Sequence, residues 1–225
     1  MKALFFFILF PFTSNAFQID SMIKVADSNN ENHLIVTGNS SSREFLYITL
    51  SELISDENNQ TKEIVYNADN ISIWPIVAQP AEIIVSNGEQ VKVDIVKKYE
   101  ASSNDRVFGI MFTPDTINKN VTNKYNIPFG YKTWFIVPGT SKLTGRIDVY
   151  KGKEPYKYII NNDTNKVLDI NIKSCDGAKK ECLNNLLLKP WTKKNVTLEN
   201  NKQSHVFIFY AYESGSKKEV KRISL

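Results

Sequence analysis

Residues 129–139 read FGYKTWFIVPG. Aromatic and β-branched residues fill the stretch and Pro138-Gly139 closes it, which is the composition of a β-strand running into a turn. Lys132 is the misfit. A lysine inside an apolar strand costs free energy unless its ammonium reaches water or an anion. Lys132 is therefore either an outward charge that guards an edge strand against aggregation or a group that waits for an anionic partner.

The segments on either side repeat the style of that strand. FQIDSMIKVAD, HLIVTGN, REFLYITLSEL, EIIVSN, VKVDIVKKY and RVFGIMF precede it; GRIDVYKG, KYIINND, KVLDINIKSC, NLLLKP, KNVTLEN and SHVFIFYAYES follow it. Each is short, and Asn, Ser, Gly and Asp separate them. SELISDENNQ fits a strand running into a loop or a short helical turn, and no long helical periodicity occurs elsewhere. Such spacing predicts an all-β fold of immunoglobulin-like sandwiches. Pro138-Gly139-Thr140-Ser141 is the break most like a domain boundary, dividing the chain into 17–138 and 139–225, each long enough for one small sandwich.

The first sixteen residues stand apart. Lys2 gives a positive start, ALFFFILFPF is an apolar run too short to span a bilayer, and Ser14-Asn15-Ala16 offers a small-x-small cleavage site. Residues 1–16 are expected to be a cleaved export signal, with no membrane insertion of the chain that follows. A formal charge of +4, with lysines interspersed among acids, gives no basic face for nucleic acid.

Export implies an oxidising compartment, where Cys175 and Cys182 in SCDGAKKEC are expected to form a disulfide. Asp176-Gly177 supplies turn formers between them. A metal site needs further ligands at suitable spacing, and the two histidines, His33 and His205, are isolated. Neither a phosphate-binding glycine loop, nor HExxH, nor a nucleophile elbow occurs, so the sequence carries no recognisable catalytic constellation and calls for no cofactor.

Three stretches resemble one family. PAEIIVSNGEQVKV (80–93), RVFGIMFTPDT (106–116) and YKTWFIVPG (131–139) are similar, in order and spacing, to the first domain of PapD-like periplasmic pilus chaperones. SCDGAKKECLNNLLLKPW (174–191) resembles the second-domain cysteine loop of the alternate branch, which serves class 5 fimbriae of the CFA/I and common-pilus kind. The resemblance implies two immunoglobulin-like β-sandwich domains at an angle, in a boomerang shape. It implies a periplasmic, non-enzymatic protein that binds pilin subunits by donating a strand and hands them to an outer-membrane usher. A subunit lacking its last strand exposes unpaired backbone, and an inserted strand satisfies it. Whether an unoccupied chain caps itself as a dimer is left open by the sequence.

The same resemblance assigns residues. Val121, Tyr125 and Ile127 fall on one alternation of the donor strand, with Asn123 a polar interruption. Lys132 takes the position of the lysine that grips the subunit's terminal carboxylate, or Thr133 does if the register moves by one. The second basic group, an arginine on the first strand of the family, corresponds to Lys24, with Lys92 and Arg106 as alternatives. Where the alternate branch carries arginine in the strand RVFGIMF, this chain has Gly109. A fimbrial subunit or a generic immunoglobulin-like binding module is the competing reading. The C-terminal SHVFIFYAYESGSKKEVKRISL argues against a subunit, because it can complete its own sheet.

Overall fold

The computed structural model describes residues 17–27, 31–39, 43–55, 61–99, 102–115, 130–173, 183–198, 205–213 and 216–225. The leader 1–16, the donor positions Val121, Asn123, Tyr125 and Ile127, and Cys175 and Cys182 lie outside the described residues. The described residues are strands and connections apart from one 3-10 turn, Ala68–Ile73, whose first turn is capped by the Asn67 side chain on the Asp69 amide.

Ten strands form the first sandwich: β1 (Gln18–Ile19), β2 (Ile23–Val25), β3 (His33–Thr37), β4 (Glu44–Ser55), β5 (Thr61–Val65), β6 (Ile76–Gln79), β7 (Glu82–Val85), β8 (Gln90–Lys97), β9 (Arg106–Pro114) and β10 (Tyr131–Val137). One sheet has the order β1-β3-β8-β6; the other has the order β2-β10-β9-β4-β5, with β7 also paired to β4. The sheets face each other through Leu34, Val36, Val93 and Ile95 on one side and Leu50, Phe108, Phe112 and Phe135 on the other, all essentially inaccessible to solvent. Burying each such side chain contributes about 1.5–3 kcal/mol. The first segment switches sheets: β1 pairs antiparallel with β3, and β2 then runs parallel to β10.

The remaining strands form the second sandwich: β11 (Gly145–Lys151), β12 (Lys157–Thr164), β13 (Leu168–Lys173), β14 (Leu183–Leu188), β15 (Thr192–Thr197), β16 (Val206–Glu213) and β17 (Ser216–Ser224). Its sheets are β11-β12-β15 and β14-β13-β16-β17, packed through Ile147, Ile160, Ile170, Ile172, Phe207 and Phe209. The expected all-β pair of sandwiches is the observed architecture. Two strands differ from the sequence reading: β5 and β6 stand where none was expected. Of the two readings of SELISDENNQ, strand or helical turn, the strand is the observed one, since β4 continues to Ser55. β5 lacks an alternating pattern because it is an edge strand with exposed Ile64 and Val65.

Pro138-Gly139 lies at the junction between β10 and β11. Gly139 approaches the backbone of Ser103 and Asn104 so closely that a Cβ there would collide with it. Beside this junction a small apolar seam of Val107, Ile136 and Val167, with Trp134 and Leu187 against it, joins the two sandwiches.

Candidate functional site

Alternation along β10 decides which way each residue of the opening stretch points. Thr133, Phe135 and Val137 are buried on the inner face, while Lys132, Trp134 and Ile136 occupy the outer face that continues into the seam between sandwiches. Of the two registers weighed for the anchor, Lys132 is thus the outward residue. Thr133 is fully buried and its hydroxyl donates to the Ser21 carbonyl at 2.7 Å.

Lys132 is not a lone edge charge. Its Nζ lies 2.6 Å from Glu63 Oε1, and both side chains keep about 30 % of their surface in solvent. The partners come from β10 and β5, with β9 and β4 between them. The bridge can span two strands because the intervening residues are small. Gly109 on β9 has no side chain, and Ser51 on β4 donates its hydroxyl to the same Glu63 oxygen at 2.6 Å. A Cβ on Gly109 would press on Ser51, Glu63 and Trp134. A glycine inside a strand often marks such a close approach, and here it makes the floor of a trough.

The trough has a second cation. Lys189, just past β14, places its Nζ 4.4 Å from the centre of the Trp134 ring, and the Lys132 Nζ lies 5.2 Å from the same centre. Burial pushes the Lys189 ammonium below its usual pKa; Glu63 opposes that shift and Lys132 adds to it. Burial alone would raise the Glu63 carboxyl. Hydrogen bonds from Lys132 and Ser51 outweigh it and hold the group below the ordinary carboxylate value.

The other basic residues expected beside Lys132 stand elsewhere. Lys24 pairs in register with Phe135, so it points to the opposite face from Lys132, and its ammonium donates to the His33 carbonyl. Lys92 lies on the other sheet, in an exposed ion pair with Asp94 at 2.8 Å. Arg106 pairs in register with Val137, again on the inner face, where it forks onto both oxygens of Glu52 at 2.7 Å each and stacks on Tyr99. The structure brings none of the three onto the face that carries Lys132, and it brings Lys189 instead. Nothing local marks Lys189 or Glu63 in the sequence; a lysine before a proline and a glutamate in a polar segment read as surface.

The β10 edge matters as much as its charge. Among the described residues β2 borders β10 only at Trp134–Ile136. The N-terminal part of β10, Tyr131–Thr133, is paired in register to β9 on one side and, among the described residues, has no strand partner on the other.

A family model described as the CS5 fimbrial protein N-terminal domain matches residues 19–138. An Escherichia coli protein described as "Uncharacterized 25.9 kDa protein in CS5 3'region" is 49 % identical over 223 residues, covering 99 % of each chain. The crystal structure of the class 5 fimbriae chaperone CfaA superposes with a TM-score of 0.55 at 15 % identity, covering 93 % of this chain and 98 % of that one. A chain in the complex of the Salmonella enterica SafA pilin with the SafB chaperone superposes with a TM-score of 0.55 at 9 % identity, covering 95 % and 97 %. At such identities the superpositions speak for the two-sandwich fold. With the first sandwich matched almost end to end and a close relative matched over its whole length, the chain belongs to the CS5 fimbrial protein family.

Proposed function

We propose that this protein is a periplasmic chaperone of fimbrial subunits: exported through residues 1–16, it completes a subunit's unfinished sandwich with its own strand and delivers that subunit to an outer-membrane usher. The observation that carries this reading is the N-terminal stretch of β10, Tyr131–Thr133, which among the described residues has no strand partner beyond β9 and carries Lys132 on its outer face. Residues 121–130 lead directly into that edge. Val121, Asn123, Tyr125 and Ile127 are the donor side chains, their backbone pairing with the groove and the apolar members filling its pockets. Lys132 holds the subunit's terminal carboxylate, which fixes the register of the inserted strand. No catalysis is involved.

The two-sandwich likeness to CfaA and to the pilin–chaperone complex supports this reading. So does β17, which closes its sheet against β16 along Ser216–Ser224, whereas a subunit awaiting a donor would lack its final strand. The Cys175–Cys182 bridge belongs to the same reading. The β13–β14 register sets Lys173 opposite Leu183, so the chain segment that carries both cysteines is closed at its base.

Co-expression with the fimbrial subunit of the CS5 system tests the proposal. The wild-type chain is expected to raise periplasmic subunit yield and to co-purify with it as a one-to-one complex. Lys132→Ala and a double Tyr125→Asp, Ile127→Asp variant should each abolish both effects while remaining folded. Unchanged yield with those variants would refute the reading.

A further inference from the structure

The modest charge of the whole chain hides an uneven division. Residues 17–138 carry ten Lys and Arg against fifteen Asp and Glu, and residues 139–225 carry seventeen against nine. The second sandwich is therefore strongly basic and the first acidic. Part of the basic excess gathers at one end of the second sandwich. β11 leaves the junction at Gly145, and β13 leaves it just after Lys166, whose ammonium donates to the Gly139 carbonyl. Strands of this length, rising about 3.3 Å per residue, carry Lys151 and Lys173 about 20 Å from the junction. The β11–β12 hairpin, YKGKEPYK over 150–157, turns at that far end. Lys151, Lys153 and Lys173 are exposed there. Two acids stand near them and are already held, Glu154 by Lys157 at 2.5 Å and Glu219 by Arg222 at 2.9 Å. Tyr150 and Tyr156 flank the turn and are 50 % and 43 % exposed. Tyr156 holds a φ of +63°, which costs a tyrosine free energy and a glycine almost none. Its ring is not what ties the turn. Backbone does that, through the Gly152 amide on the Lys157 carbonyl at 2.7 Å and the Leu198 amide on the Tyr156 carbonyl at 3.0 Å.

We propose that this far end of the second sandwich is a docking surface for an anionic lipid bilayer, with Lys151, Lys153 and Lys173 facing the headgroup phosphates beside the Tyr150 and Tyr156 rings. The proposal rests on the export reading, because an exported chain meets the lipid of the membrane it has crossed. Charge complementarity supplies the attraction, and each lysine near such a surface raises partitioning about fivefold. Lysine stems and tyrosine rings suit the boundary because each joins an apolar body to a polar end. A protein partner would be gripped by a packed central anchor. A convex hairpin tip with lysines at strand ends matches a fluid layer of headgroups instead. The acidic first sandwich is repelled by the same surface, so docking is oriented. β10 belongs to the sandwich turned away from the lipid, and its unpaired stretch stays free for a polypeptide guest.

Vesicle co-sedimentation tests this with the exported chain, residues 17–225. The probes are vesicles of phosphatidylglycerol mixed with phosphatidylcholine and vesicles of phosphatidylcholine alone. At low salt the wild type should favour the anionic vesicles about a hundredfold, and the preference should vanish near about 0.5 M salt. Lys151→Gln with Lys153→Gln should lower binding about twentyfold. Lys151→Glu with Lys153→Glu should bring it down to the level of neutral vesicles. Lys62→Glu with Lys98→Glu makes the same change of net charge on exposed lysines of the first sandwich, and should stay within about twofold of wild type. A wild type that stays in the supernatant, whatever acidic proteins it retains, would overturn the proposal. So would a Lys62 and Lys98 loss equal to the Lys151 and Lys153 loss. Intact mass of the cellular protein reads export separately: a chain that keeps residues 1–16 refutes the export reading, whereas the vesicle result bears on the docking surface alone.

Discussion

Asp105 and Lys166 form an ion pair at 3.0 Å with neither side chain exposed at all. Asp105 precedes β9 in the first sandwich and Lys166 precedes β13 in the second. The pair is completed by backbone: the Lys166 ammonium donates to the Gly139 carbonyl at 2.8 Å, while the Asp105 oxygens accept from the Gly139 and Val167 amides at 2.7 and 2.8 Å. Every member of the network is satisfied by a partner across the junction, which makes it a lock between the sandwiches rather than a surface contact.

Removing one partner leaves the other charged and buried. Asp105→Asn and Lys166→Met are each expected to cost about 3–5 kcal/mol in urea unfolding, whereas the double variant costs clearly less than their sum. Additive costs in that cycle would mean the two groups do not act as a pair.

Gly139 carries the same junction. A Cβ there would strike the Ser103 and Asn104 backbone, which has no flexible side chain to move away. Gly139→Ala should destabilise the chain by about 1–3 kcal/mol, read from the shift in unfolding midpoint. Gly88, whose φ is +74° but which has open space around it, is the control: its alanine variant is strained locally and should leave the junction untouched.

Acid should weaken the trough. Hydrogen bonds and charge hold the Glu63 carboxyl below its ordinary value of 4.5 in the folded chain. A lowered pKa adds stability that is present above the unfolded value and disappears as pH falls through the folded one. Thermal midpoints of wild type and Glu63→Gln should therefore differ at neutral pH and converge below about pH 4.5.

Under the proposed export of the chain, Cys175 and Cys182 are expected to be joined. Intact mass under non-reducing conditions should be lower by two hydrogens than after reduction. Serine replacement of both should cost about 2–4 kcal/mol in unfolding, because the open loop gives the unfolded chain more freedom. Free thiols in freshly prepared periplasmic protein would contradict this.

Aromatic and β-branched composition was enough to assign the strands RVFGIMF and YKTWFIV; that Phe108, Ile110, Phe112, Phe135 and Val137 share one buried face was decided by the packed sandwich. Pro138-Gly139 marked the bend for a local reason, since proline and glycine at a strand end favour a turn; that Gly139 also lies against the Ser103 and Asn104 backbone is a tertiary contact the sequence does not show. Lys132 was visible as an anomaly because its cost arises within its own strand. β5 escaped because an exposed edge strand needs no alternation.

Tertiary structure alone decided what Lys132 meets. Glu63 lies 69 positions away in sequence, and Lys189 reaches the same tryptophan ring from the other sandwich. Lys24 looked suitable by position on the first strand, yet its parallel register with Phe135 turns it to the opposite face. The physical reason is one of range. Strand propensity and turn chemistry are set by a residue and its nearest neighbours, so the sequence alone determined the fold class and the clearest strands. An ion pair depends on which strands become neighbours, and that order is chosen by burial of the whole core at once.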